Sequence, residues 1–190
     1  MAIFEPYYKD PRTTSVGECE PRAYFIPYAD KYTAHTLDRA KSPYFKTLCG
    51  EWGFSYYRSL ADVNDDFTSD DFFHDEITVP RSWQTVLDKG YDVPNYTNIN
   101  YPFQADPPRL PDNIPCGVYT RNFYLTGEFA SRELYLNFEG VDSCYYVWVN
   151  GKFVGYSTVS HCTTEFDVSG VAVSGRNTIA VLVLKWCAAS

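Results

Sequence analysis

The feature that most constrains this chain is a turn. Asn150-Gly151 separates two short runs rich in aromatic and β-branched residues, Cys144-Tyr145-Tyr146-Val147-Trp148-Val149 and Lys152-Phe153-Val154-Gly155-Tyr156. A two-residue type I′ turn needs positive φ at both central positions, which Asn and Gly tolerate, and its twist matches that of paired strands. A β-hairpin is therefore expected here. Val118 to Leu125 and Glu133 to Phe138 place apolar groups at alternate positions, so each can lay one face on a core. Asn177 to Leu184 is apolar on both faces, as in a strand buried within a sheet or sandwich. Strands at these intervals predict an all-β fold of the sandwich or jelly-roll kind.

The rest of the chain divides around this region. Residues 1–45 carry Pro6, Pro11, Pro21, Pro27 and Pro43 without sustained periodicity, which suggests an extended arm that needs a surface to lie on. Residues 46–190 are then the β-sandwich. Gly90 to Pro115 is rich in proline and has little regular pattern; so long an irregular segment in a compact domain is uncommon unless it is functional or packs on a partner. One helical stretch is marked, near Leu60 to Phe67.

Composition removes several functions. A net charge of −8, from 24 acidic and 16 basic side chains, opposes binding to phosphate backbones, and no Lys/Arg cluster makes a local basic patch. Nucleic acid is not an expected partner. Neither a secretion-type start nor an apolar run of membrane-spanning length occurs, so a soluble, cytoplasmic protein is expected, with no membrane partner. Cys19, Cys49, Cys116, Cys144, Cys162 and Cys187 are scattered without C-x-x-C pairs or metal-spaced histidines, and read as reduced, mostly buried thiols. Asn95-Tyr96-Thr97 matches a glycosylation sequon, a pattern too short to carry an argument.

Glycoside hydrolysis needs two carboxyl groups facing each other across a sugar. The densest acidic group, Asp62, Asp65, Asp66, Asp70, Asp71, Asp75 and Glu76, lies along one polar connection and reads as solvated surface. Its partial likeness to a calcium loop fails because Phe67 and Phe73 stand where glycine and the bidentate glutamate belong. His35, His74 and His161 lie in no HExxH context, and there is no nucleophile elbow or phosphate-binding glycine loop. Among the abundant aromatics, Trp52, Phe54, Tyr56, Trp148 and Phe153 fall in strand-like runs and are expected in the core rather than as sugar platforms.

Gly50-Glu51-Trp52-Gly53-Phe54 followed by Val79-Pro80-Arg81-Ser82-Trp83-Gln84 resembles successive signatures of the amino-terminal domain of glycoside hydrolase family 2. The segment from Gly90 through Asn98 to Phe103 is similar to a loop of the LacZ-type β-galactosidases in particular. Asp106-Pro107-Pro108, Gly117-Val118-Tyr119, Phe138 to Ser143, Val149 to Tyr156, Glu165-Phe166-Asp167 and Leu184-Lys185-Trp186 continue the pattern in order, so the likeness runs from about Pro21 to the end. Two places depart from it. Trp186-Cys187-Ala188-Ala189-Ser190 stands where the family has Trp-Ser-Asp-Gly-Ser, and Val159 and His161 replace an acidic residue and an arginine.

The resemblance implies a jelly-roll sugar-binding domain at the amino terminus of a much longer enzyme that hydrolyses terminal β-D-galactosides such as lactose, with retention. It places both catalytic glutamates on a TIM barrel, an element of about 250 residues that 190 residues cannot supply. This chain is then expected to be inactive alone, to hold no catalytic residue, metal or cofactor, and to support the barrel of the same chain. The parent family uses Mg and Na ions, and the sodium-binding aspartate falls after Ser190. The substrate-binding residue carried over is Asn98, whose amide can donate to and accept from a sugar hydroxyl. The resemblance also implies a homo-oligomeric parent, whose amino-terminal arm runs along other domains and subunits; alone, that arm is expected to be poorly anchored. Two rival readings are a stand-alone carbohydrate-binding module, which would bind galactosides without a barrel, and a purely structural or assembly domain, in which Asn98 never touches sugar.

Overall fold

A computed structural model describes residues 4–69, 73–97, 101–104, 106 and 108–190. The strands are β1 (Ser15–Val16), β2 (Gly50–Tyr57), β3 (Asp75–Val79), β4 (Cys116–Leu125), β5 (Tyr135–Phe138), β6 (Cys144–Val149), β7 (Lys152–Ser157), β8 (Thr164–Asp167) and β9 (Gly175–Leu184). Seven form one antiparallel sheet in the order β1-β7-β6-β9-β4-β2-β3, and β5 pairs with β8 in a second, two-stranded sheet. Two four- or five-residue helices, α1 (Lys31–His35) and α2 (Gly127–Ala130), are capped by the side chains of Asp30 and Thr126. The fold is an all-β sandwich.

The hairpin forms as the turn chemistry requires. Asn150 and Gly151 have φ of 52° and 72°, and they join β6 to β7. Asn150 also spends its side chain on the fold, donating to the Val171 carbonyl and accepting from the Thr178 N–H at 2.9 Å each.

The central strands β4, β6 and β9 sort their side chains by parity, because successive residues of a strand point to opposite faces. Tyr119, Tyr145, Val147, Val149, Ile179, Val181 and Val183 enter one core with Trp52, Phe54, Trp83 and Phe166. Cys116, Val118, Cys144, Tyr146, Trp148, Ala180, Leu182 and Leu184 enter a second core on the other face. The apolar run of β9 is thus explained: it lies between β4 and β6 and is covered on both sides. The first core is closed by the β5–β8 sheet, through Phe138 and Phe166.

Among the described residues no second sheet closes the second core. Its cover is irregular chain: Phe4, Tyr7 and Tyr8 from the amino-terminal segment, Phe67, and Leu110 and Ile114. This corrects the expectation of a poorly anchored arm for its first stretch. Tyr8 is buried, β1 pairs Ser15 with Ser157 and Val16 with Tyr156, and the Cys19 N–H donates to Glu165 at 2.8 Å. The reason is apolar area: burying an aromatic side chain stabilises by about 1.5–3 kcal/mol, and Phe4, Tyr7 and Tyr8 share the cover of this face with Phe67, Leu110 and Ile114. Beyond Cys19 the segment runs mostly exposed, tethered where Arg22 meets Glu165 and where the Ser42 hydroxyl donates to the Pro27 carbonyl.

The helix expected near Leu60–Phe67 is reduced to one 3-10 turn at Leu60–Asp62, capped by the Ser59 hydroxyl. Val63 is already extended, which frees Phe67 to turn inward, where its ring meets Trp148 edge-on at 4.9 Å. All six cysteines are unpaired; Cys116, Cys144 and Cys187 are buried whereas Cys49 and Cys162 are exposed, so burial holds for half of them. Trp52, Phe54 and Trp148 are core residues as expected, Tyr56 is half-buried, and Phe153 remains 40% exposed at the edge of the second core.

Candidate sugar-binding loop

From Gly90 to β4 the chain makes the long irregular excursion that its prolines predicted; its described residues contain no strand or helix beyond a bridge between Asp106 and Arg109. Two anchors hold its first limb. At the base, Asp75 on β3 accepts from Lys89 Nζ at 3.0 Å and from the Tyr91 hydroxyl at 2.7 Å. The Lys89 ammonium, the Tyr91 hydroxyl and the Glu76 N–H together hold the Asp75 carboxyl down to about 2. Tyr91 lays its ring on Phe54 and Tyr56, at 5.1 and 5.7 Å, and burial there pushes its phenol above the usual range, as does the adjacent Asp75 carboxylate.

Further out, Lys185 reaches across from the end of β9. Its ammonium donates to Asp92 Oδ2 at 2.6 Å, to the Val93 carbonyl at 3.1 Å and to Asn95 Oδ1 at 2.5 Å. An ammonium has three donors, and all three are engaged by this one limb. The ion pair is well shielded, with side-chain exposures of 9% for Lys185 and 14% for Asp92.

The returning limb is held by the next residue of the chain. Trp186 receives Phe103 edge-on at 5.4 Å and Tyr101 at 6.3 Å, and those two rings meet each other at 4.8 Å. Beside them is a cleft of about 220 Å³ bordered by Tyr101, Phe103, Arg109, Leu110 and Cys187. At its margin the Cys187 thiol is drawn down to about 6, chiefly by a hydrogen bond from Cys144, whose own thiol is pushed well up by burial.

Asn98 lies outside the described residues. So do Asp70 and Asp71 of the acidic group; Asp62, Asp65, Asp66 and Glu76 are exposed, as a solvated surface requires, and Asp75 is the base anchor of the loop. His35, His74 and His161 are exposed on separate elements. Among the described residues no three His, Cys, Asp or Glu side chains gather as metal ligands would. Lys185 and Trp186 were not singled out for this role by residue type; the available signal was a lysine placed directly after a strand apolar on both faces, which must find an acceptor close to a core.

Residues 45–190 match the family model described as glycosyl hydrolases family 2, sugar binding domain. The chain is 48% identical over 185 residues to a β-galactosidase of Actinobacillus pleuropneumoniae, covering 97% of this chain and 18% of that protein. It is 37% identical over 186 residues to a β-galactosidase of Yersinia enterocolitica, covering 97% and 17%. The chain therefore spans less than a fifth of the length of these curated relatives. Among solved structures, a β-glucuronidase from Ruminococcus gnavus in complex with D-glucuronic acid matches with a TM-score of 0.55 at 17% identity, over 73% of this chain and 21% of that one. An uncultured Clostridium sp. β-glucuronidase matches with 0.53 at 21% identity, over the same shares. At such identities these likenesses establish the fold alone.

Proposed function

Because the chain belongs to glycosyl hydrolase family 2 as one of its sugar-binding domains, we propose that it is the amino-terminal jelly-roll domain of a β-galactosidase hydrolysing terminal β-D-galactosides such as lactose. The observation that carries this reading is identity of 48% to a β-galactosidase across 97% of the chain. In this reading the two carboxyl groups that perform retaining hydrolysis sit on a barrel elsewhere in the protein. The present chain supplies the loop and, through the amide of Asn98, a donor and an acceptor for a galactose hydroxyl.

The domain alone is then inactive, and its partners are the galactoside, the remaining domains of its own protein and further copies of that protein. The magnesium and sodium that the resemblance implies for the parent are assigned no ligand in this chain, and no step of this reading passes through either ion. No helix among the described residues is long and apolar enough to cross a membrane. Six unpaired cysteines suit the reducing cytoplasm we propose for it.

The test joins this chain to the remaining domains of the Actinobacillus pleuropneumoniae β-galactosidase in place of that protein's own matching segment. Lactose hydrolysis by the chimera, with a raised KM in Asn98→Ala, is the expected result. An active chimera indifferent to Asn98→Ala leaves the domain a support for the barrel and removes Asn98 from the site. Saturable binding of galactose by the separate chain, followed by chemical-shift NMR, would instead make it an independent carbohydrate-binding module.

A further inference from the structure

We propose that Cys187 and Cys144 form a reversible oxidation site, in which hydrogen peroxide entering the cleft beside Trp186 converts Cys187 to a sulfenic acid and Cys144 resolves it to a disulfide. Cys187 stands where the resembled family has serine, so the pair is a feature of this chain. Neither thiol belongs to the loop of residues 90–115.

The sheet brings the two thiols together. Cys144 opens β6, and its partner across the ladder is Leu184, the last residue of β9. Ser143 tightens this junction: its N–H donates to the Leu184 carbonyl at 3.2 Å and its hydroxyl to the Lys185 carbonyl at 2.8 Å. The chain then folds back under the second core, where the Ala188 N–H donates to the Tyr8 carbonyl at 2.8 Å. Cys187 is thereby buried in the same cluster as Cys144, and its sulfur accepts a hydrogen bond from the Cys144 thiol. Cys116 is a third buried thiol of this core and also faces Leu184, from β4 on the other side. It is no partner for Cys144: two strand spacings, about 9–10 Å, exceed the roughly 7 Å that a disulfide spans between Cα atoms.

The two sulfurs are prepared for different tasks. Besides the Cys144 thiol, Cys187 Sγ receives the Ser190 hydroxyl at 3.5 Å and the Ala189 N–H. Donors converging on one sulfur favour the thiolate, which is the nucleophilic form. Cys144 is wholly buried, and burial holds it as a thiol. Cys187 is itself only 2% exposed, but it borders the cleft of about 220 Å³. Such a space has room for several molecules the size of water, at about 30 Å³ each, and hydrogen peroxide is little larger. A peroxide therefore meets Cys187 first.

In the first step the Cys187 thiolate attacks one peroxide oxygen. The S–O bond forms, the O–O bond breaks, and the departing hydroxide takes a proton to leave as water. In the second step Cys144 Sγ attacks the Cys187 sulfur. The S–S bond forms, the S–O bond breaks, and hydroxide leaves with the Cys144 proton as a second water. Two thiols lose two electrons and one peroxide gains them. A low-pKa, reachable thiol beside a resolving cysteine is the arrangement of redox-sensing sites, and a dithiol reductant reverses the bond by exchange.

The test treats the reduced chain with hydrogen peroxide, alkylates the remaining thiols after unfolding, and maps the peptides by mass spectrometry. We expect loss of two of the six thiols, with the linked Cys144–Cys187 peptide as the main product, and recovery of both thiols with dithiothreitol. Cys144→Ala should leave Cys187 as a sulfenic acid that dimedone traps. Cys187→Ser should abolish the link and leave Cys144 reduced, because peroxide reaches Cys144 only through Cys187. The peptide map of the unaltered chain decides the matter even if a variant folds poorly. Cys187 remaining reduced while the exposed Cys49 and Cys162 are oxidised overturns the proposal. So does a link from Cys187 to Cys116, or a Cys187 sulfenic acid that persists with Cys144 present.

Discussion

The hydroxyl of Tyr146, in the middle of β6, accepts the backbone N–H of Tyr8 at 3.1 Å and donates to the Glu5 carbonyl at 3.0 Å. One buried side chain thereby satisfies two backbone groups of the amino-terminal segment and locks it over the second core. Tyr146→Phe keeps the ring, which packs at a tilt against Phe4 and Tyr156 at 4.7 Å each, and removes only the oxygen. The expected loss is about 1–3 kcal/mol, the cost of an unsatisfied buried group, and it should come with faster proteolysis before residue 15. Denaturant unfolding and limited proteolysis check both.

Arg22 and Glu165 make a two-pronged contact, at 2.6 and 2.7 Å, and Glu165 also accepts from Asn137 at 3.2 Å. The glutamate side chain is 9% exposed and the arginine 43%, so the carboxylate is the partner that cannot go unpaired. Arg22→Ala should cost about 1.5–3 kcal/mol, the range for hydrogen bonds to charged groups. Arg22→Lys should recover only part of this, because an ammonium cannot reproduce the fork. Thermal melts of the three proteins at neutral pH decide it.

The loop base is sensitive to acid. Asp75 has its carboxyl lowered from the ordinary 3.8 to about 2. A lowered folded value means that the contribution is present above the unfolded pKa and is lost as pH falls from about 4 towards 2. NMR titration of the Asp75 carboxyl should give a midpoint near 2, moving upward in Lys89→Ala, whose ammonium is the largest cause. An unshifted midpoint in that variant would sink the assignment.

Gly155 lies where β7 passes under β8. A Cβ there would stand 2.3 Å from the Phe166 ring and 2.6 Å from the Val16 carbonyl, and the second of these is backbone that cannot swing aside. Gly155→Ala is expected to destabilise by about 1–3 kcal/mol through overpacking and to disturb the pairing of β1 with β7. Chemical denaturation and the amide exchange of Val16 report the two effects separately.

The hairpin at Asn150-Gly151 and the doubly buried β9 were legible because turn chemistry and alternation are local properties of sequence. The closure of the second core was not. Tyr8, Phe67 and Ile114 come from three segments without periodicity, and nothing local distinguishes an aromatic residue in an arm that drapes freely from one that caps a sheet. The loop's irregular character could be read from its prolines, while the grip of Lys185 and Trp186 could not, since it joins residues about ninety positions apart. Phe67 misled in the opposite direction: its spacing from Leu60 suits a helix, yet its partner is Trp148 on a distant strand.

The covering of the second core by the chain's own beginning has a consequence for biosynthesis. Tyr8 and Tyr146 are separated by 138 residues, and β1 must wait for β7. At a translation rate of about 5–20 residues per second, the amino-terminal aromatics leave the ribosome roughly 7–28 s before the surface they cover exists. For that interval Phe4, Tyr7 and Tyr8 are exposed apolar groups on a nascent chain, open to a holding chaperone, and their docking is a late step that completes the domain.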